Sequence, residues 1–225
     1  MLKTIKIAFI ALLCTTGITT FAQKKIMQGT ITYTLEYNLS PDKQAMTTML
    51  PQEYKMSFKD DLSQFKMDMG MFSTLITYNN RTLETLSLTE VPIQSKKIAL
   101  KMNKEQTEKM GKMQGGNKDF EITTTTEKKL ISNYNCTKYL CKDKESGSVS
   151  EVWATQDIAV PTNTLTTMFK GISGVPIQFN TDARGMKAKI TVKSIVEENV
   201  ADINMNIPKE YETMSFDDLV KQMGG

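Results

Sequence analysis

Hydrophobic and polar residues alternate with period two along most of this chain. Ile31, Tyr33, Leu35, Tyr37 and Leu39 alternate with Thr32, Thr34, Glu36 and Asn38. The same pattern recurs at Tyr54/Met56/Phe58, Phe65/Met67/Met69/Met71, Ile98/Leu100/Met102, Val175/Ile177/Phe179, Met186/Ala188/Ile190/Val192 and Ile203/Met205/Ile207. Successive side chains of a strand point to opposite faces, so each run predicts a strand with one apolar and one wet face. Further strands are expected over Phe72 to Tyr78 and, with a less regular pattern, over Leu83 to Leu88. Turn residues separate the runs at Ser40-Pro41-Asp42, Asp60-Asp61 and Asn79-Asn80.

The stretch from Leu130 to Ile158 reads as a long hairpin. Two strand-like runs flank the polar turn from Lys142 to Gly147 and carry Cys136, Cys141 and the single tryptophan, Trp153. A helix is predicted after Asn103, an N-cap whose partner Gln106 stands three residues on, with Gly115-Gly116 as its stop. The loop from Pro161 to Gly171 has room for one helical turn that groups Leu165, Met168 and Phe169. A last short helix starts at Ser215 and carries Phe216, Leu219 and Met223.

Strands with one apolar and one polar face pair antiparallel with one side wet. Their apolar faces must then cover one another. The expected fold is mainly β: a strongly curved antiparallel sheet, a half-barrel, with one to three short helices over its open side. An immunoglobulin-like sandwich is the alternative. A transmembrane barrel fits less well, because it needs longer strands with aromatic girdles and this chain ends in a polar helix and Gly224-Gly225.

The first residues interrupt the pattern. Lys3 and Lys6 precede the short apolar run Ile7 to Leu13, and Thr20-Phe21-Ala22 supplies small residues at the −3 and −1 positions of a cleavage site. Residues 1–22 therefore read as a cleaved signal peptide, and the run is too short to span a membrane. A lipid anchor on Cys14 is disfavoured, since Leu13 stands where a lipoprotein signal wants a small residue. Cleavage leaves residues 23–225 as one antiparallel β domain, exported, with the periplasm as the expected compartment. That length supports one core burying roughly 70% of the unfolded surface. Loss of Lys3 and Lys6 takes basic residues from 28 to 26 against 25 acidic, a net charge of about +1. No strong field argues for nucleic acid as a partner.

Candidate chemistry is sparse. The chain has no histidine, which removes the commonest general base and metal ligand. No enzyme and no cofactor are expected. Cys136 and Cys141 are a disulfide candidate by compartment, but on one continuous strand residues five apart face opposite ways, roughly 16 Å apart. The thioethers of Met67, Met69 and Met71 suit Cu(I). They sit on the face that Phe65 begins, with no His or Cys nearby in sequence, so core or cavity lining is preferred and no metal is expected. Glu151, Asp157 and Asp182 are carboxylates that nothing in the sequence brings together. The sixteen methionines offer adaptable walls for variable apolar ligands. The candidate lining is Tyr33, Tyr54, Met56, Phe58, Phe65, Met67, Met69, Met71 and Trp153.

One resemblance bears on this. Gly29-Thr30-Ile31-Thr32-Tyr33, Ile131-Ser132-Asn133-Tyr134-Asn135-Cys136-Thr137-Lys138-Tyr139, Glu151-Val152-Trp153-Ala154 with Asp157-Ile158, and Ile207-Pro208-Lys209-Glu210-Tyr211 together resemble the domain-of-unknown-function 4412 family of exported bacterial proteins. Where that pattern has Gly before Tyr134, this chain has Asn133. The family has no established activity. By analogy it is similar to the LolA/LolB lipoprotein carriers, whose half-barrel holds acyl chains. The resemblance implies an exported binding module with a lipid or other apolar ligand. The alternative is an envelope structural or protein-interaction domain with a filled core.

Overall fold

Twelve strands join one sheet in the computed structural model, which describes residues 23–113, 119–163, 166, 168–183 and 186–223. Six strands form an antiparallel meander: β2 (Gln28–Asn38), β3 (Glu53–Lys59), β4 (Leu62–Asp68), β5 (Ser73–Asn79), β6 (Glu84–Val91) and β7 (Lys96–Met102). A second antiparallel run follows: β8 (Phe120–Ile131), β9 (Tyr134–Asp143), β10 (Val149–Thr155), β12 (Val175–Ala183) and β13 (Met186–Glu197). β13 pairs antiparallel with β2 and welds the two runs together. At the far edge, the short β14 (Glu212–Thr213) runs parallel to β7. β1 (Lys24–Lys25) and β11 (Ile158–Ala159) make a separate parallel pair. Two α-helices are described in full, α1 (Lys104–Met113) and α2 (Phe216–Gln222), with 3-10 turns over Pro41–Met49 and Pro92–Gln94.

The chain is thus mainly β with one large antiparallel sheet and short helices, the coarser part of the expected fold. No sheet is closed or strongly curled among the described residues, and no helix among them is long and apolar enough to cross a membrane.

Local chemistry explains most boundaries. α1 opens with a reciprocal capping box: the Asn103 carbonyl oxygen of the side chain accepts from the Gln106 N–H, and Gln106 Oε1 accepts from the Asn103 N–H. Its expected stop, Gly115-Gly116, lies outside the described residues. Ser215 caps α2 through the Asp218 N–H. α2 buries Phe216 and packs Leu219 and Val220, while Met223 is exposed. Leu165 and residues 1–22 are also outside the described residues; Phe169 is buried, and Met168 is exposed.

Three segments differ from the pattern-based expectation. The expected hairpin is present, β9 and β10 pairing antiparallel about the turn after Asp143, but its first residues, Leu130 and Ile131, end β8 instead. Ser132 and Asn133 both take positive φ, 50° and 69°, and turn the chain tightly into β9. Asn tolerates that left-handed conformation, so it serves where a glycine is the simplest choice. The run Phe65 to Met71 is not all strand. β4 ends at Asp68, whose carboxylate accepts from the Gly70 N–H while Gly70 takes φ 74°. Ile203, Met205 and Ile207 do alternate with exposed Asn204 and Asn206, but they join no ladder. They belong to a strap between β13 and β14.

The strap is fixed at both ends. Lys59 Nζ meets Asp202 at 2.7 Å, and the Tyr211 hydroxyl donates to Glu90 at 2.7 Å. Register places Lys59 and Glu90 on one face of the sheet, shared with Thr77, Leu86 and Ala99. Those three are buried. The strap therefore crosses this face, rounds the β7 edge where Met214 N–H donates to the Ala99 carbonyl, and delivers α2 to the opposite face. There Phe216 packs with Leu100, Met102 and Met110 of α1. Burial on both faces accounts for the poor alternation of Leu83 to Leu88.

Candidate functional site

Cross-strand register resolves the face opposite the strap into three rows. The first runs Val192, Tyr33, Tyr54 from β13 to β3, and continues from β4 to β7 as Met67, Thr74, Thr89, Ile98. The second runs Ile31, Met56, Phe65, Ile76, Ser87, Leu100. The third runs Phe58, Ser63, Tyr78, Thr85, Met102. Six of the nine candidate residues that periodicity selected fall within these rows: Tyr33, Tyr54, Met56, Phe58, Phe65 and Met67. Met69, Met71 and Trp153 do not.

The second and third rows have buried ends and a half-buried middle; the first is buried at Val192, Tyr33 and Thr74 and half-buried at Tyr54, Met67, Thr89 and Ile98. Ile31, Tyr33, Met56 and Phe58 belong to a core cluster that also takes in Ile26 and Ile158 of the small parallel pair. Leu100 and Met102 lie under α1 and α2. Between these two covered zones, Tyr54, Phe65, Met67, Ile76, Tyr78 and Ser87 are half-buried. Phe65 and Tyr78 stack with centroids 6.0 Å apart. The middle of the face is an apolar trough, walled by its own buried flanks.

Three tyrosines stand at one end of this face. The Tyr37 hydroxyl donates to the Pro51 carbonyl at 2.8 Å, and the Tyr37 and Tyr54 hydroxyls bond to each other. Burial pushes the ionisation of both upward. Tyr33 is only 6% exposed, and its hydroxyl finds no hydrogen-bond partner among the described residues. Desolvation drives its ionisation far up, so it remains a proton donor at any physiological pH. Buried hydroxyls are nearly always bonded, which makes Tyr33 an exception to be explained.

The remaining candidates separate from the trough. Met69 sits in the turn after β4, and Met71 is 64% exposed, so Met71 lines nothing: the strand that was to turn it inward ends three residues earlier. Trp153 stands opposite Lys138 and Gln178, on the reverse of β10 from Val152, which shares the face of Phe179 and Ile190. Its ring meets Lys129 and Lys138 at 5.8 and 6.0 Å, and it packs against the core cluster that also holds Tyr33, Met56 and Phe58. Lys138 also bridges Glu127 and Glu151. Asp157 accepts from the Asn135 backbone and side chain. The carboxylates Glu151 and Asp157 thus have structural partners.

Cys136 and Cys141 are free and buried, in different core clusters, as odd spacing on the continuous strand β9 requires. Burial raises both thiols to about 11. No group of three or more His, Cys, Asp or Glu residues able to hold a metal occurs among the described residues. A separate groove of about 450 Å3 opens at the β7 edge between Lys96, Ile98, Glu212, Met214 and Asp218. It shares no residue with the expected lining.

Pattern reading missed Ile76, Tyr78 and Ser87. Leu75 and Ile76 are both apolar, and Thr77 and Leu86 are buried beside them, so this region carries too little contrast between faces to assign one.

No family model matches the chain, and no curated protein matches it. Among solved structures it is similar to PNGF-II in two crystal forms, in the C2 and P21 space groups. Identity is 13% in both, over 87% and 88% of this chain, with a TM-score of 0.48. The chain spans 32% of the length of those proteins.

Proposed function

We propose that this chain is an exported binding module of the cell envelope, not an enzyme, whose open sheet acts as a half-barrel and carries a lipid or acyl chain. The observation that supports this reading is the trough. A row such as Met56, Phe65, Ile76, Ser87, Leu100 is buried at its ends and half-buried at its centre. Apolar side chains left half-buried on rigid strands between covered flanks offer a lining for an apolar ligand. The resemblance to the domain-of-unknown-function 4412 family and the signal-like residues 1–22 agree with export to the periplasm.

A second reading has its own support. Tyr33, Met56 and Phe58 already pack against Ile26 and Ile158, so an envelope domain with a filled core and a protein partner is the alternative. Organic extraction and native mass spectrometry of protein purified from its own envelope fraction separate the two. A carrier yields a stoichiometric lipid, and Ile76→Asp empties it while the fold persists. Lipid-free protein that also fails to take up lipid from vesicles overturns the carrier reading.

A further inference from the structure

We propose that the ligand on this face presents a neutral oxygen acceptor to the Tyr33 hydroxyl, so that the module takes acyl esters in preference to ionised fatty acids. This rests on the carrier reading above and narrows it to one ligand class.

Two observations carry the inference. The first is the orphan donor. Tyr33 is 6% exposed with an unpartnered hydroxyl, while its neighbours Tyr37 and Tyr54 have satisfied theirs. Leaving a buried donor unpaired is costly, and a ligand oxygen placed there removes that cost at the moment of binding. Tyr33 pairs across the ladder with Tyr54, and the next strand along, β4, begins the trough with Phe65 and Met67. An acyl tail along Phe65 and Ile76 therefore brings its head group within two strand spacings of Tyr33, about 10 Å.

The second observation is the charge pattern. Glu36 of β2, Glu53, Lys55 and Lys59 of β3, Lys66 and Asp68 of β4, and Lys187 and Lys189 of β13 all alternate to the reverse face. Lys193 is held there too, by Glu53. On these four strands, the charge that register puts on the face of Tyr33 is Glu197, opposite Gly29 at the far end of β2 and already paired with Lys24. An ionised carboxylate brought to Tyr33 would lose its water and gain no cation in return. An ester carbonyl accepts the same hydrogen bond and carries no charge to desolvate.

The test compares 1-monooleoyl glycerol with oleate at pH 8 on the processed wild-type protein and on Tyr33→Phe, by titration calorimetry and thermal melts. The wild type is expected to bind the ester at least tenfold tighter than the anion. Tyr33→Phe is expected to lose that preference, to bind oleate as before, and to melt no lower than the wild type when empty. Equal affinity for the two probes in the wild type, or a preference that survives in Tyr33→Phe, overturns the inference and leaves the carrier reading standing. A lower melting temperature for empty Tyr33→Phe also overturns it, because the hydroxyl then has a partner within the fold. Failure of the wild type to bind either probe overturns both readings.

Discussion

Two methionines of the same sequence pattern have opposite fates, and the difference is a prediction. Met56 is 3% exposed and packs in the main core cluster; Met71 is 64% exposed in a turn. Met56→Lys buries an unpaired charge and is expected to cost about 3–5 kcal/mol, a large part of an ordinary domain's stability. Met71→Lys is expected to stay within about 0.5 kcal/mol of the wild type. Denaturant melts of both variants check this, and equal losses would show that β4 continues through Met71. The thiols give a pH-dependent counterpart. Burial raises Cys136 and Cys141 from 9.0 to about 11, so the fold holds their protons more tightly than the unfolded chain. Their contribution to stability is complete below pH 9 and is lost as pH rises through 11. Both thiols should resist alkylation at pH 8 until denaturant is added, and Cys141→Ala should flatten the alkaline fall in melting temperature.

Among the elements, the strap is the one held by charge rather than by a ladder. The Lys59–Asp202 pair and the Tyr211–Glu90–Lys97 group fasten it. Bonds to Lys59 pull the Asp202 ionisation below 3.8, and Tyr211 with Lys97 pulls Glu90 below 4.5. Carboxylates lowered in the fold add stability that is present above those values and is lost as pH falls through the folded ones. These groups are exposed, so salt screens them. The strap should therefore loosen before the sheet as pH falls below about 4, sooner at high salt. Hydrogen exchange across residues 198–211, followed from pH 6 to pH 3, measures this. Loss of protection in β2 and β13 at the same pH would show that strap and sheet open as one unit.

The two runs of the large sheet meet at one long-range seam. β2 and β13 pair from Lys187 with Asn38 to Glu197 with Gly29, joining segments far apart in sequence. Closing so large a loop has an entropic cost that no local contact offsets beforehand. Refolding of residues 23–225 is expected on the millisecond-to-second scale or slower, and Val192→Ala, at the middle of the seam, should slow folding as well as lower stability. Stopped-flow refolding with wild type and variant tests it; a change confined to the unfolding rate would place the seam after the rate-limiting step. The seam also sets Tyr33 between Val192 and Tyr54.

Much of this was legible in the sequence because strand alternation is local. Period two named the inward sets Ile31/Tyr33, Tyr54/Met56/Phe58 and Phe65/Met67, and the Asn103–Gln106 pair announced α1 with its capping bonds. Odd spacing kept Cys136 from Cys141. What alternation leaves open is which face of one strand continues into which face of its neighbour. Trp153 alternates correctly yet stands on the reverse of the sheet, because register across β10, β12 and β13 fixed its side. Ile203 to Ile207 alternate as a strand does, but a tether at each end laid them across the sheet as a strap. The strip Phe65–Ile76–Ser87 and the unpartnered Tyr33 hydroxyl arise only when six strands align, for a hydrogen-bond deficit is a property of surroundings that no single run of residues contains.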